Sequence, residues 1–192
     1  MTNPYILNAG FFLLNTLVIF YTYILIARFL LQLFKVDFFN PICQGIVRIT
    51  DPMLNPMRKL LPKSILFDYS AIILAFTLQL VGLSLLSLFS DDRAGLIGLI
   101  LVTLAATLNK ILNFLIFAIL AHVVISWLSH GGYNPLLEII NSISAPLLKK
   151  ARKLLPRTGS LDFSPMLVII ALQLVIMLVI IVLVKKMYLL VI

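Results

Sequence analysis

Four long apolar stretches dominate the pattern of hydrophobic and polar positions along this chain. They run from about Ile6 to Phe34, from about Tyr69 to Phe89, within Ala94–Leu128, and from about Met166 to Val184. A helix of about 20 apolar residues crosses the hydrocarbon core of a bilayer, and backbone in lipid must satisfy its hydrogen bonds internally. The pattern therefore predicts an all-α membrane protein with four transmembrane helices.

The third stretch is longer than one bilayer crossing requires, and it carries Lys110. Either one tilted helix over about 96–128 extends beyond the membrane, or Leu96–Leu108 forms a separate short piece. The first stretch, about 6–34, is similarly long and has Thr16 at the position that matches Lys110. This similarity favours two long tilted helices, with Lys110 towards the outer half of the membrane.

The two polar segments that follow the first and third stretches have a helical rhythm of their own. Apolar residues recur at steps of three and four, which is one face of a helix. They are Ile42, Ile46, Ile49, Met53, Met57 and Leu60 in the first segment, and Leu136, Ile140, Ile143, Leu147, Ala151 and Leu154 in the second. We therefore expect interfacial amphipathic helices over about 41–61 and 135–155.

Prolines mark the starts and the middles of these predicted helices. Asn40 and Asn134 each precede a proline, which predicts an N-cap followed by proline at the first helical position. Pro52 and Pro146 predict a kink or a break inside each helix. Ser164, before Pro165, predicts the same N-cap arrangement at the start of the fourth span.

The chain contains an internal duplication with an offset of 94 residues. Residues 40–62 and 134–156 align without a gap, with 11 of 23 positions identical, and both end in Arg-Lys-Leu-Leu-Pro. The duplication predicts two repeats, 1–94 and 95–192, each with two spans and one interfacial helix. Since two spans are an even number, the repeats run parallel.

Composition and charge support membrane insertion and orient the spans. Of 192 residues, 62% are hydrophobic and 11% are charged, against about 45–50% and 25% in soluble domains. The two polar connections carry ten Lys and Arg, and the other side carries three. The positive-inside rule therefore predicts cytoplasmic connections and external termini. The first 27 residues contain no Lys or Arg, so we expect no cleavable signal peptide.

The basic residues of the connections form a candidate surface for anionic lipid or a protein partner. Each Lys or Arg near an anionic leaflet contributes about 1 kcal/mol of attraction. The residues are Arg58, Lys59, Lys63, Lys149, Lys150, Arg152, Lys153 and Arg157. The alternative, that they only set topology, is compatible with lipid binding. No nucleic acid partner is expected, because no soluble basic surface interleaved with aromatic residues is present.

Polar residues inside the spans form a second candidate set. They are Asn15, Gln79, Asn109, Lys110, Asn113 and Gln173. Such residues are functional candidates by default, but hydrogen bonding between helices is the favoured explanation for all of them except Lys110. Lys110 must pair, reach the outer surface or face water. Arg28 and His122 match each other across the repeats, at the membrane edge, where a polar head reaches the headgroups.

Several of these motifs resemble the YggT family, also called YlmG. The first repeat has Asn-Pro, then Asp-Pro-x-Leu-x-Pro-x-Arg-Lys-Leu-Leu-Pro over 51–62, then Phe-Asp-Tyr-Ser before a span. The second repeats this with Ala145 in place of Asp51 and Lys150 in place of Pro56, which argues against a catalytic role for Asp51. The resemblance implies a bacterial inner-membrane protein of two repeats. It also implies links to osmotic tolerance, potassium handling and cell division and, in plastids, to cofactor assembly or nucleoid distribution.

No signature of an enzyme accompanies these features. The chain lacks H-E-x-x-H, G-x-S-x-G, a Walker loop and a Cys/His cluster. We therefore expect no catalytic residue, metal or cofactor. The leading hypothesis is a non-enzymatic inner-membrane scaffold or assembly factor that binds anionic lipid or an unknown protein partner at the cytoplasmic face. The alternative is a small ion or solute pathway formed by homo-oligomers.

Overall fold

The computed structural model describes residues 4–60, 69–87, 95–128, 134–155 and 162–191. Within these ranges the chain forms α-helices and the short segments that connect them. The six helices are α1 (Pro4–Leu33), α2 (Pro41–Leu60), α3 (Ser70–Ser87), α4 (Leu96–Leu128), α5 (Pro135–Arg152) and α6 (Ser164–Val191). Positions 94 residues apart fall in corresponding helices, so each repeat contributes three.

Two of the four predicted spans are long and apolar enough to cross a membrane within the described residues. They are Phe12–Leu33 in α1 and Leu96–Trp127 in α4. The apolar stretches of α3 and α6, Ser70–Leu85 and Ser164–Val179, are shorter. The 18 residues of α3 span about 27 Å, just under the hydrocarbon thickness of about 30 Å.

The long third stretch forms a single helix. Helix α4 runs through 33 residues without a break, a length of about 50 Å. A separate piece over Leu96–Leu108 is therefore wrong, and the expectation of one long helix is confirmed. Lys110 lies near its middle.

The starts of α2 and α5 follow the predicted capping. The Oδ1 of Asn40 accepts the N–H of Ile42 at 3.0 Å, and the Oδ1 of Asn134 accepts the N–H of Leu136 at 2.9 Å. Each helix then begins at the following proline. These bonds satisfy an N–H that has no partner inside the helix, so both N-cap predictions are confirmed.

Neither helix is broken by its internal proline. Helix α2 continues through Pro52 and Pro56, and α5 continues through Pro146. A proline removes one hydrogen bond from the helix ladder, and the neighbouring turns hold each helix together. The predicted break is therefore wrong, and the alternative of a kink stays a prediction.

The start of α6 differs from the predicted capping. Ser164 is the first residue of the helix and not its N-cap. The carboxylate of Asp162 performs the capping, because its Oδ1 accepts the N–H of Ser164 at 3.0 Å and also the Ser164 hydroxyl. A carboxylate is favourable at a helix N-terminus, where the helix dipole is positive.

The helices pack as two similar units that touch along α3 and α4. Helix α1 packs mainly on α3, and α4 packs mainly on α6. Helix α2 lies against α1 and α3, whereas α5 lies against α4 and α6 and also reaches α1 and α2. The duplication is therefore visible in the packing as well as in the sequence.

The buried core lies at the end of the bundle that α2 and α5 cover. Its fully buried members include Leu25, Ile26 and Leu30 of α1, Cys43 and Leu54 of α2, Ala71 and Ala75 of α3, and Ile143 of α5. The opposite end of α1 is different, because Phe12, Leu17 and Phe20 are all more than 60% exposed. Exposed apolar surface of this extent is typical of contact with lipid or another protein.

The predicted apolar faces of α2 and α5 are not equivalent. On α5, Ile140 and Ile143 are buried against the bundle. On α2, Ile49 and Met53 remain about half exposed. The difference follows from packing, since α5 contacts four other helices and α2 contacts three.

Candidate functional site

The basic ends of α2 and α5 divide into arginines with internal partners and exposed lysines. Lys59, Lys149, Lys150 and Lys153 are exposed and make no ion pair with any residue that the structure describes. Arg58 and Arg152, by contrast, both form ion pairs. Lys63 and Arg157 lie outside the described residues. The surface available to an anion is therefore mainly lysine.

An ion pair connects Arg152, in the Arg-Lys-Leu-Leu-Pro motif of the second repeat, to Asp162, in the Leu-Asp-Phe-Ser-Pro segment at the start of α6. The Nη2 and Nε of Arg152 donate to the Oδ2 of Asp162 at 2.6 and 3.0 Å. The same carboxylate caps α6, so it ties the end of α5 to the start of the next helix. The Ser164 hydroxyl lowers the pKa of Asp162, and the Ser164 N–H and the Arg152 guanidinium lower it further.

Asp51 links α1 to α2 in the first repeat. Its Oδ1 accepts from the Nη2 of Arg28 at 3.2 Å and from the Nη1 of Arg58 at 3.3 Å. The Arg28 side chain is only 6% exposed, and its guanidinium carbon lies 5.7 Å from the centroid of the Phe38 ring. Arg28 therefore acts as a buried cation held by a carboxylate and an aromatic face.

The second repeat has a hydrogen bond between a histidine and an asparagine in place of this ion pair. His122 stands where the first repeat has Arg28, and Ala145 stands where it has Asp51. The Nδ1 of His122 lies 2.7 Å from the Oδ1 of Asn141, on α5. The second repeat therefore lacks both the arginine and its carboxylate partner, which explains why Asp51 has no acidic counterpart.

A groove opens between α1 and α2 beside this ion pair. It has a volume of about 520 Å³ and is lined by Arg28, Phe38, Gln44, Val47, Arg48 and Asp51. Arg48 is exposed and makes no ion pair in the described part of the chain. The Nε2 of Gln44 donates to the Phe39 carbonyl at 3.2 Å, which leaves its Oε1 and one N–H for other partners.

Lys110 is paired inside the bundle. Its Nζ donates to the Oε1 of Gln79 at 2.8 Å, and Gln79 is 6% exposed. The two side chains and Asn15 line a cavity of about 270 Å³ between α1, α3 and α4. The structure therefore brings together three of the six intramembrane polar candidates and joins α3 to α4 by a charge-assisted hydrogen bond.

The remaining intramembrane candidates lie elsewhere. The Nδ2 of Asn113 donates to the Oδ1 of Asn109 at 2.6 Å, one turn away on the same helix. Asn113 also lines an apolar cavity of about 450 Å³ with Tyr23, Phe114 and Phe117. Gln173 is exposed on α6. These residues do not form a common site with Lys110.

Sequence reasoning missed a contact that joins the two repeats. Asn40, besides capping α2, donates its Nδ2 to the Pro135 carbonyl at 2.8 Å and to the Oε2 of Glu138 at 3.2 Å. Asn40 is 4% exposed, whereas its counterpart Asn134 is exposed. The identical Asn-Pro motifs gave no signal that one asparagine spans the repeats.

Comparison with known proteins places these features in a family. The sequence profile of CCB3/YggT matches residues 7–89 and again residues 101–183. The two matches begin 94 residues apart and end 94 residues apart, which is the offset of the duplication. No solved structure matches the chain.

Bacterial relatives agree over nearly the whole length. An uncharacterized protein of Pseudomonas aeruginosa is 39% identical over 175 residues, covering 90% of this chain and 89% of its own. The uncharacterized protein YggT of Escherichia coli K12 is 32% identical over 170 residues, covering 88% of each. Neither description names an enzymatic activity. The chain belongs to the CCB3/YggT family, with two copies of the family's repeat.

Proposed function

We propose that this protein is a non-enzymatic scaffold of the bacterial inner membrane that holds anionic lipid at its cytoplasmic face. Lysines at the ends of α2 and α5 make the contact, and they also present a surface to a protein partner of unknown identity. Homo-oligomers are compatible with this role. The proposed connection to osmotic tolerance and cell division rests on the family resemblance alone.

The observation that carries the proposal is the division between arginines and lysines. Arg152 is held by Asp162 and Arg58 by Asp51, so these two side chains stabilise the fold. The C-terminal end of α5 carries three exposed lysines, Lys149, Lys150 and Lys153. They make no ion pair with any residue that the structure describes. Three cations at the C-terminal end of a helix that packs on a membrane bundle attract an anionic leaflet by about 3 kcal/mol.

Membrane placement with four crossings is part of the proposal. Helices α1 and α4 meet the length and composition of spans, and the apolar side chains at the far end of α1 are exposed. Helices α3 and α6 pack along these two spans, which supports a crossing by all four helices. The half-exposed Ile49 and Met53 of α2 then contact acyl chains at the interface, as an amphipathic helix does.

Lipid co-purification tests the lysine surface. The variant carries Gln in place of Lys59, Lys149, Lys150 and Lys153, and it is extracted with native lipid into polymer nanodiscs. We expect the ratio of anionic to zwitterionic lipid around it to fall at least twofold. A matched variant with Arg at the same four positions should retain the wild-type ratio, because charge is kept. An unchanged ratio in the Gln variant contradicts the proposal.

The cavity beside Lys110 supports a second candidate function, a pathway for a small ion or solute. Asn15 and Gln79 line it with Lys110, at the depth of the predicted spans. The hydrogen bond between Lys110 and Gln79 favours a structural role for these groups. Flux into proteoliposomes separates the two functions. A potassium or small-solute flux that Lys110→Met abolishes, at normal insertion, favours the pathway over the scaffold.

A further inference from the structure

We propose that the groove between α1 and α2 binds the phosphate group of one anionic phospholipid. Arg48 and Gln44 contact the phosphate, Arg28 supplies a buried positive field, and Phe38 forms the wall beside the acyl-glycerol portion. The inference deepens the proposed function and rests on its membrane placement. The groove is a single site with defined contacts, whereas the lysines attract the anionic leaflet without a defined position.

The charges around the groove favour an anion. Among the residues that line the groove, Arg28 and Arg48 supply two positive charges and Asp51 supplies one negative charge, so the net charge is about +1. The Asp51 Oδ1 is occupied by Arg28 and Arg58, whereas Arg48 has no ion pair within the described residues. A guanidinium and a free amide N–H are the donors that phosphate oxygens prefer.

The position of the groove suits a lipid headgroup. Arg28 lies five residues before the end of α1 at Leu33, which is about 7.5 Å along the axis. Interfacial helices lie about 5–10 Å into the boundary between headgroups and acyl chains. The groove therefore opens at that boundary, and its volume of about 520 Å³ falls in the usual range for small-molecule sites, about 300–1,000 Å³.

The duplication indicates that the site belongs to the first repeat alone. The positions that match Arg48, Gln44 and Phe38 are Ser142, Glu138 and Gly132. The second repeat therefore lacks the cation and the aromatic wall, and it has a carboxylate where the first has an amide. One phospholipid per chain follows from this difference.

Binding of a short-chain phosphatidylglycerol to the detergent-solubilised full-length protein tests the proposal. Native mass spectrometry counts the first bound lipid across a titration. We expect one saturable site in the wild type and about tenfold weaker binding in Arg48→Gln, which is about 1.4 kcal/mol. Gln44→Glu, which imports the residue of the second repeat, should weaken binding similarly. Both positions are exposed, so the fold tolerates these changes.

Control variants separate this site from the lysine surface. Lys35→Gln removes an exposed cation that lies outside both the groove lining and the lysine surface, and it should leave the first lipid unchanged. Equal binding by Arg48→Gln and wild type overturns the site, whatever the lysine variants show. Displacement of the lipid by an equal concentration of inorganic phosphate also overturns it, since the ligand would then be free phosphate. Loss of the first lipid in the four-lysine variant alone would assign it to the lysines instead.

Discussion

Replacing Asp51 with alanine tests the ion pair that joins α1 to α2. The change imports the residue of the second repeat and removes the oxygen that Arg28 and Arg58 contact at 3.2 and 3.3 Å. Removing one partner of a buried pair costs about 3–5 kcal/mol, and an exposed pair contributes about 0–1 kcal/mol. Because Arg28 is 6% exposed and Asp51 is 34% exposed, we expect a loss of about 2 kcal/mol in unfolding free energy.

The second repeat shows how this loss can be reversed. Adding Arg28→His removes the buried cation, since a histidine is largely neutral at pH 7. In the second repeat, His122 contacts the amide of Asn141. Val47 occupies the matching position in the first repeat, so Val47→Asn supplies the equivalent amide. The triple variant reproduces the pair of the second repeat, and we expect it to recover at least half of the stability lost in Asp51→Ala.

The chain provides its own reporter for this measurement. Cys43 is its only cysteine and is fully buried, so a thiol-reactive fluorophore labels it only when the core opens on heating. Labelling curves in detergent give the stability of each variant. If the effects of Arg28→His and Asp51→Ala add within about 0.5 kcal/mol, the two positions are not coupled, and the interpretation is wrong.

Three further substitutions test other contacts with the same labelling assay. Asn40→Ala loses a cap and two bonds to the other repeat, so it should cost about 2–3 kcal/mol against about 1 for Asn134→Ala; equal costs would contradict the bridging role. Because the folded pKa of Asp162 is lowered, its stabilisation is complete above the unfolded pKa of about 3.9 and is lost as pH falls through the folded value. Asp162→Asn should therefore be less stable than wild type at pH 7, by a difference that shrinks as the pH falls below about 3.9, and a pH-independent difference would refute this. Gln79→Leu removes the acceptor of Lys110 and should cost about 1–3 kcal/mol, most of which the added Lys110→Met should restore; a double variant no better than the single one would exclude the pairing.

The hydrophobic period and the duplication were sufficient to predict all six helices of the described chain and the caps at Asn40 and Asn134. Local patterns repeat at fixed spacing, so they are visible in one sequence. The tertiary partners were not predictable in this way. Asp51 lies 23 residues from Arg28, and Asn40 lies 98 residues from Glu138, and no periodic signal links such positions.

The candidate site was predictable in its composition but not in its division of roles. All the basic residues at the ends of α2 and α5 looked alike in sequence. The structure separates Arg58 and Arg152, which hold the fold, from the lysines, which remain exposed. This division depends on where Asp51 and Asp162 fall in three dimensions. Arg152 places two N–H groups on one oxygen of Asp162, which a guanidinium does more readily than an ammonium.

Side-specific labelling tests the central claim most directly, because a scaffold with paired basic ends requires both ends on the same membrane face. A cysteine at Lys59, at Lys153 or at Asp91, in a Cys43→Ala background, is exposed to a membrane-impermeant thiol reagent in intact cells and in inverted vesicles. The account predicts labelling at Lys59 and Lys153 only in inverted vesicles, and at Asp91 only in intact cells. Labelling of Lys59 and Lys153 from opposite sides would contradict the parallel arrangement of four spans and the shared lipid surface built on it.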